Sequence, residues 1–100
     1  MSKYGMNVKF TAVPGERDNL AQILLNAADS LQTVPECLIY AIHVTENEPD
    51  TVWVTEVWSS KVAHDASLQQ EDTQAAIGRA KPLIAGIEAV QLTPLGGKGL

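Results

Sequence analysis

The chain has a single cysteine, a single phenylalanine, two tryptophans, two tyrosines and two histidines in 100 residues. One cysteine, Cys37, excludes an internal disulfide, and among apolar neighbours it reads as a buried strand residue. Two histidines far apart in sequence, His43 and His64, with no cysteine pair, give no metal-ligand spacing, so no metal is expected. There is no uninterrupted apolar run of about 18 residues, as a membrane-spanning helix requires. The opening stretch, MSKYGMNVKF, lacks the apolar core of a secretory signal, and the expected location is cytoplasmic. Basic residues are scarce: 7 Lys and Arg stand against 12 Asp and Glu, a net charge of −5. They are scattered from Lys3 to Lys98, which gives no attraction for a phosphate backbone and makes nucleic acid an unexpected partner. No dinucleotide fingerprint, phosphate loop or nucleophile elbow occurs.

What is present is a 45% apolar chain with clear periodicities, expected to form one domain over residues 1–100, with its core at about 6–94. Residues 6–13 alternate, with Val8, Phe10 and Ala12 on one side, as in a half-buried strand. After Pro14-Gly15, the residues Leu20, Ile23, Leu24, Ala27 and Leu31 mark one face of a helix. Glu16 and Asp18 lie in its first turn, where the helix dipole favours them, and Pro35 ends it. The run ECLIYAIHV (36–44) is apolar at nearly every position and reads as a strand covered on both faces. Leu38, Tyr40, Ile42 and Val44 fall on one face, with Cys37, Ile39, Ala41 and His43 on the other. A polar loop (45–50) leads to a third strand, 51–58, which carries Val52, Val54, Glu56 and Trp58 on one side and Trp53, Thr55 and Val57 on the other. Ser59 or Ser60 caps a following helix, on which His64, Ser67, Leu68 and Glu71 share a stripe. A second helical piece runs from about Asp72 to Lys81, a fourth strand covers 87–94, and residues 95–100 form a flexible tail.

The order strand, helix, strand, strand, helix, strand predicts an α+β, ferredoxin-like βαββαβ fold with a four-stranded antiparallel sheet and both helices on one face. The strands carry apolar residues on both faces, so the uncovered face predicts a partner, most simply a second copy in a homodimer.

The ordered set of PG before an amphipathic helix, CLIYAIHV, EVWSSKVAHDASL, KPLI and VQLTPLGG resembles the antibiotic biosynthesis monooxygenase (ABM) family, its quinol-monooxygenase-like branch most closely. The resemblance covers about residues 6–97. It implies a dimeric α+β barrel and, for some members, oxygenation of phenols, quinols or polyketide anthrones by molecular oxygen as co-substrate, with no flavin or metal cofactor. Other members degrade haem. Two departures stand out. Ser67 occupies the position where members often carry a histidine, and Pro14, Ser67 and Ile77 stand where the haem-degrading branch needs Asn, Trp and His.

That chemistry needs a base, donors for developing negative charge and a dry pocket. His64 and Glu56 are the candidate catalytic residues: histidine ordinarily changes charge near neutrality, and a glutamate flanked by Val54 and Trp58 is buried and must have a partner, such as a backbone amide, Arg79 or a second subunit. Trp58 is expected to stack on a small aromatic substrate, Tyr40 to orient a substrate oxygen, and Ser67 to face the same pocket. Asn7 and Arg79 are weaker candidates, and His43 is expected at the dimer interface or in solvent. Each residue also has an architectural alternative, as core, cap or surface. The competing function is a dimeric small-ligand-binding or stress-related barrel without turnover, and proton-transfer catalysis in the same pocket is a third.

Overall fold

A computed structural model of the chain describes residues 2–100. Its strands are β1 (Tyr4–Ala12), β2 (Cys37–His43), β3 (Thr51–Trp58) and β4 (Ile84–Leu92); its helices are α1 (Arg17–Ser30), α2 (Lys61–Ser67) and α3 (Glu71–Ala80). The four strands form one antiparallel sheet in the order β2-β3-β1-β4, the ferredoxin-like α+β arrangement. No helix among the described residues is long and apolar enough to cross a membrane.

The core lies between the sheet and α1. Val8, Ala12, Val52 and Val54 from the sheet meet Leu20 and Leu24 from the helix, with Ala80 of α3 closing one end. Leu20 and Val52 are fully buried, and each such aliphatic side chain contributes roughly 1.5–3 kcal/mol. The molecule is 19 Å through its shortest axis, about the depth of one sheet and one helix layer, so the other sheet face is open.

Several boundaries and faces differ from the sequence expectations. β1 begins earlier, at Tyr4, and β4 spans Ile84–Leu92 rather than 87–94. β4 starts early because a 3-10 turn at Lys81–Leu83, with Pro82 in it, hands the chain directly to the sheet. The stripe through His64, Ser67, Leu68 and Glu71 is broken: α2 ends at Ser67 and Glu71 starts a separate helix. The alternation in β2 is interrupted too. Cys37 pairs with Trp58, Ile39 with Val57 and Tyr40 with Glu56, which leaves Leu38 as the extra residue of a bulge. Cys37 therefore lies on the same face as Tyr40, not opposite it, and it is half-buried. At the same end of the sheet, on the β4 side, Pro94 folds back onto Gly5, where a Cβ would meet its ring at 3.2 Å.

The open face is more mixed than the strand patterns suggested. Ile39, Ala41, Trp53, Val90 and Leu92 share it with Asn7, Lys9, His43, Thr55 and Glu88. Lys9 pairs with Glu48 at 2.7 Å and lies 5.6 Å from the centre of the Trp53 ring. His43 is exposed there, 3.2 Å from the Thr55 hydroxyl.

Candidate functional site

The strand-to-helix junction is built by short-range rules. Glu56 and Trp58 are two residues apart on β3, so both side chains project toward the helix layer. Ser60 is extended, and its hydroxyl accepts from the Ala63 amide at 3.1 Å, which starts α2. His64 is then one turn into the helix and faces back over the end of the strand.

These positions bring Glu56, Trp58 and His64 into contact. The Trp58 indole N–H donates to Glu56 Oε1 at 2.8 Å, and His64 Nε2 is 3.5 Å from the same oxygen. His64 Nδ1 is 3.0 Å from Asp65 Oδ1, and Lys61 Nζ holds the other Asp65 oxygen at 2.7 Å. One imidazole thus faces two carboxylates. A neutral ring can donate to only one of them, and the protonated ring donates to both. Lys61 and, after it, His64 hold the Asp65 carboxyl below its usual range. Side-chain exposure is 12% for His64 and 11% for Glu56, and Trp58 is buried. The partner that a buried glutamate requires is thus the indole and the imidazole. Arg79 is exposed in the last turn of α3, and Asn7 is exposed on the open sheet face.

Sequence reasoning missed Tyr4. Its ring lies on His64, with centroids 4.8 Å apart at 41°, while Trp58 meets the imidazole edge-on at 5.8 Å. Extending the β1 alternation two residues toward the amino terminus, through Met6, would have placed Tyr4 on this face.

Two cavities border the junction. The larger, about 550 Å³, lies among the end of α1, β3, α2 and α3, and its walls include Trp58, Ser60, Ala66 and Ser67. The smaller, about 110 Å³, is lined by Cys37, Leu38 and Tyr40, and Leu31 borders both. The candidate residues therefore divide. Trp58 and Ser67 face the large cleft, Tyr40 faces the small cavity, and Glu56 and His64 line neither. Ser67 donates its hydroxyl proton to the His64 carbonyl at 2.6 Å, leaving its lone pairs to the cleft.

Burial, then the Glu56 and Cys37 charges, push the Tyr40 phenol well above its usual range, so it acts as a hydrogen-bond donor. Burial, with Glu56 second, raises the Cys37 thiol from 9.0 to about 11. In the unfolded chain the thiol ionises first, so this group favours folding below about pH 9 and loses that contribution as pH rises through 11. Alkylation of Cys37 by iodoacetamide should therefore be slow at about pH 8 and keep accelerating beyond pH 9. A rate that levels off near 9 would contradict the burial of this thiol. Among the described residues no three His, Cys, Asp or Glu side chains converge as a metal site would require.

Comparison with known proteins follows the same lines. Residues 4–79 match the family described as antibiotic biosynthesis monooxygenase. Among solved structures, a protein from Chloroflexus aurantiacus, provisionally described as an antibiotic biosynthesis monooxygenase, is 41% identical over 96% of both chains, with a TM-score of 0.88. One from Caulobacter crescentus, with the same provisional description, is 20% identical over 95% of this chain and 92% of its own, with a TM-score of 0.88. A Bacteroides thetaiotaomicron protein of unknown function, described as a possible oxidoreductase, is 13% identical over 93% of this chain and 98% of its own, with a TM-score of 0.85. The last two likenesses concern the fold alone. Among curated proteins nothing matches.

Proposed function

The chain belongs to the antibiotic biosynthesis monooxygenase family, and from that premise we propose that it is a cofactor-independent monooxygenase. Its substrate is a quinol-like, phenolic or polyketide aromatic molecule, and molecular oxygen is the co-substrate. The observation that carries this reading is the cleft of about 550 Å³ walled by Trp58, with the Glu56–His64 pair directly behind the indole.

Triplet oxygen reacts slowly with a closed-shell phenol, whereas the phenolate can pass it one electron. In this reading the Glu56–His64 pair takes the substrate's hydroxyl proton. The anion then gives one electron to oxygen, the two radicals combine to form a carbon–oxygen bond, and the hydroperoxide loses water. A hydroquinone plus oxygen thus gives a hydroxyquinone plus water: one oxygen atom stays in the product and the other leaves. Trp58, which is 2% exposed, stacks on the ring only once substrate entry moves the indole, and Ser67 accepts from a substrate hydroxyl. Tyr40 donates to a substrate long enough to pass Leu31 into the smaller cavity. Neither member of the pair lines the cleft, so substrate entry displaces the indole–carboxylate bond or brings in a bridging water.

The test is oxygen uptake by metal-free protein with a panel of quinols and anthrones, after subtraction of autoxidation. One oxygen molecule consumed per quinol is expected. Binding without uptake would reject the oxygenase and favour a ligand-binding barrel without turnover, a reading that draws on a specific feature: neither Glu56 nor His64 lines the cleft.

The same reading places the protein in the cytoplasm as a homodimer, the open sheet faces meeting as in a dimeric α+β barrel. Supporting it are half-buried Trp53 and Ile39, the exposed Val90 and Leu92, and the edge position of β4. Light scattering should give about twice the 10.7 kDa chain mass, and Trp53→Glu should return the monomer. A wild-type monomer at micromolar concentration would refute the pairing.

A further inference from the structure

The walls of the large cleft carry a charge pattern that the oxygenase reading does not use. Among the described residues fifteen line it, and none is Lys, Arg or His. Two are acidic: Glu36, just before β2, and Asp72, in the first turn of α3. Six carry hydroxyls, among them Ser60, Ser67 and Thr73. The nearby cation of α2, Lys61, points instead to Asp65 at 2.7 Å. A ligand here finds an aromatic wall at Trp58, hydroxyl donors and acceptors along its length, and negative charge with no counter-charge.

We propose that the cleft selects uncharged polyhydroxylated aromatic molecules and discriminates against those that carry a carboxylate. This deepens the oxygenase reading and rests on it for the identity of the site. A ring carboxylate brought into the cleft would face Glu36 and Asp72 with nothing to neutralise it. Both acids are exposed, so water and salt screen them and the penalty is modest, about five- to tenfold in affinity at low ionic strength. Hydroxyls carry no such penalty, and six hydroxyl side chains can exchange hydrogen bonds with them.

The experiment is anaerobic calorimetric titration of the full chain with naphthohydroquinone and with its ring-carboxylated acid, at low salt and again at about 0.5 M salt. The expected result is tighter binding of the neutral probe by about five- to tenfold, a gap that shrinks in high salt and closes in Glu36→Gln/Asp72→Asn. Ala66→Trp, which fills the cleft from an exposed helix position, should abolish binding of the neutral probe. Equal binding of the two probes, preference for the acid, or a gap that survives in the double variant would overturn the proposal. Binding that is unaffected by Ala66→Trp would also overturn it, by moving the site elsewhere, as would the absence of binding by either probe. The oxygenase reading is judged separately in air: a charge-dependent gap without oxygen uptake keeps the selectivity and rejects the turnover, whereas uptake without a gap does the reverse.

Discussion

Replacing Trp58 with alanine should lower the unfolding free energy by about 3–5 kcal/mol. The side chain is 2% exposed, so the variant loses the transfer energy of a large aromatic and leaves a void that the rigid sheet cannot close. Among the described residues it also removes the only hydrogen-bond donor within 3 Å of the Glu56 carboxylate, which leaves a buried acid without its best partner. Domains of this kind are stable by only about 5–15 kcal/mol, so the loss is a third or more of the total in most cases. Urea unfolding at one fixed protein concentration, so that any self-association stays constant, measures it directly. Trp58→Phe separates the two contributions: it keeps most of the volume and loses only the N–H, for an expected cost of about 1–3 kcal/mol. A Trp58→Ala cost below about 1 kcal/mol would mean that the indole is not held as the structure has it.

Turnover should show an effect of similar size. In the oxygenase reading, His64→Ala and Glu56→Ala are each expected to reduce the rate of oxygen uptake by about 10²–10⁴-fold, the usual contribution of a positioned base. Because the two side chains form one unit, the double variant should lose little more than either single one. The loss belongs in kcat rather than KM, since neither residue lines the cleft that holds the substrate. Trp58→Phe makes the comparison informative. If the carboxylate is the base, freeing it from the indole preserves or raises kcat; if the indole is what holds the substrate, KM rises. Uptake that stays within about threefold of wild type in both His64→Ala and Glu56→Ala would reduce the pair to a clamp for Trp58.

The two variants test different aspects of one arrangement. Glu56 stabilises the indole that walls the cleft, and the same oxygen faces His64. A residue tied to structure in this way tolerates little change, so any activity measurement on its variants must be paired with a stability measurement. His64→Gln is a useful companion because it keeps a polar group of similar reach beside Glu56 and Asp65 while removing the titratable ring.

Much of this was legible in the chain because periodicity records burial. The spacing of Leu20, Ile23 and Leu24 announced α1, and β3 was read at the residues where it is found. The placing of Val52, Val54, Glu56 and Trp58 on one face also held, for Val52 and Val54 join the core under α1 and the Trp58 indole bonds the Glu56 carboxylate. The need for a partner to Glu56 followed from the cost of burying a charge, although the partner itself did not. Other features depend on residues distant in sequence. Leu38 becomes a bulge only against the register of β3, and that moves Cys37 to the Tyr40 face. Tyr4 meets His64 only because β1 lies beside β3, with Tyr4 opposite Trp58.

The sequence by itself therefore determined the elements, their order, the αβ layering and the acidic character of the chain, because backbone preference and alternation between water and core are local properties. Tertiary structure alone decided which carboxylate oxygen holds the indole, that the imidazole lies between two acids, and that Glu56 and His64 stand behind the cleft wall rather than in it. Those facts depend on strand register and on the angle at which α2 leaves β3. The contacting residues are near one another in sequence, but register and angle are fixed by packing against distant segments, such as Tyr4 on the His64 ring.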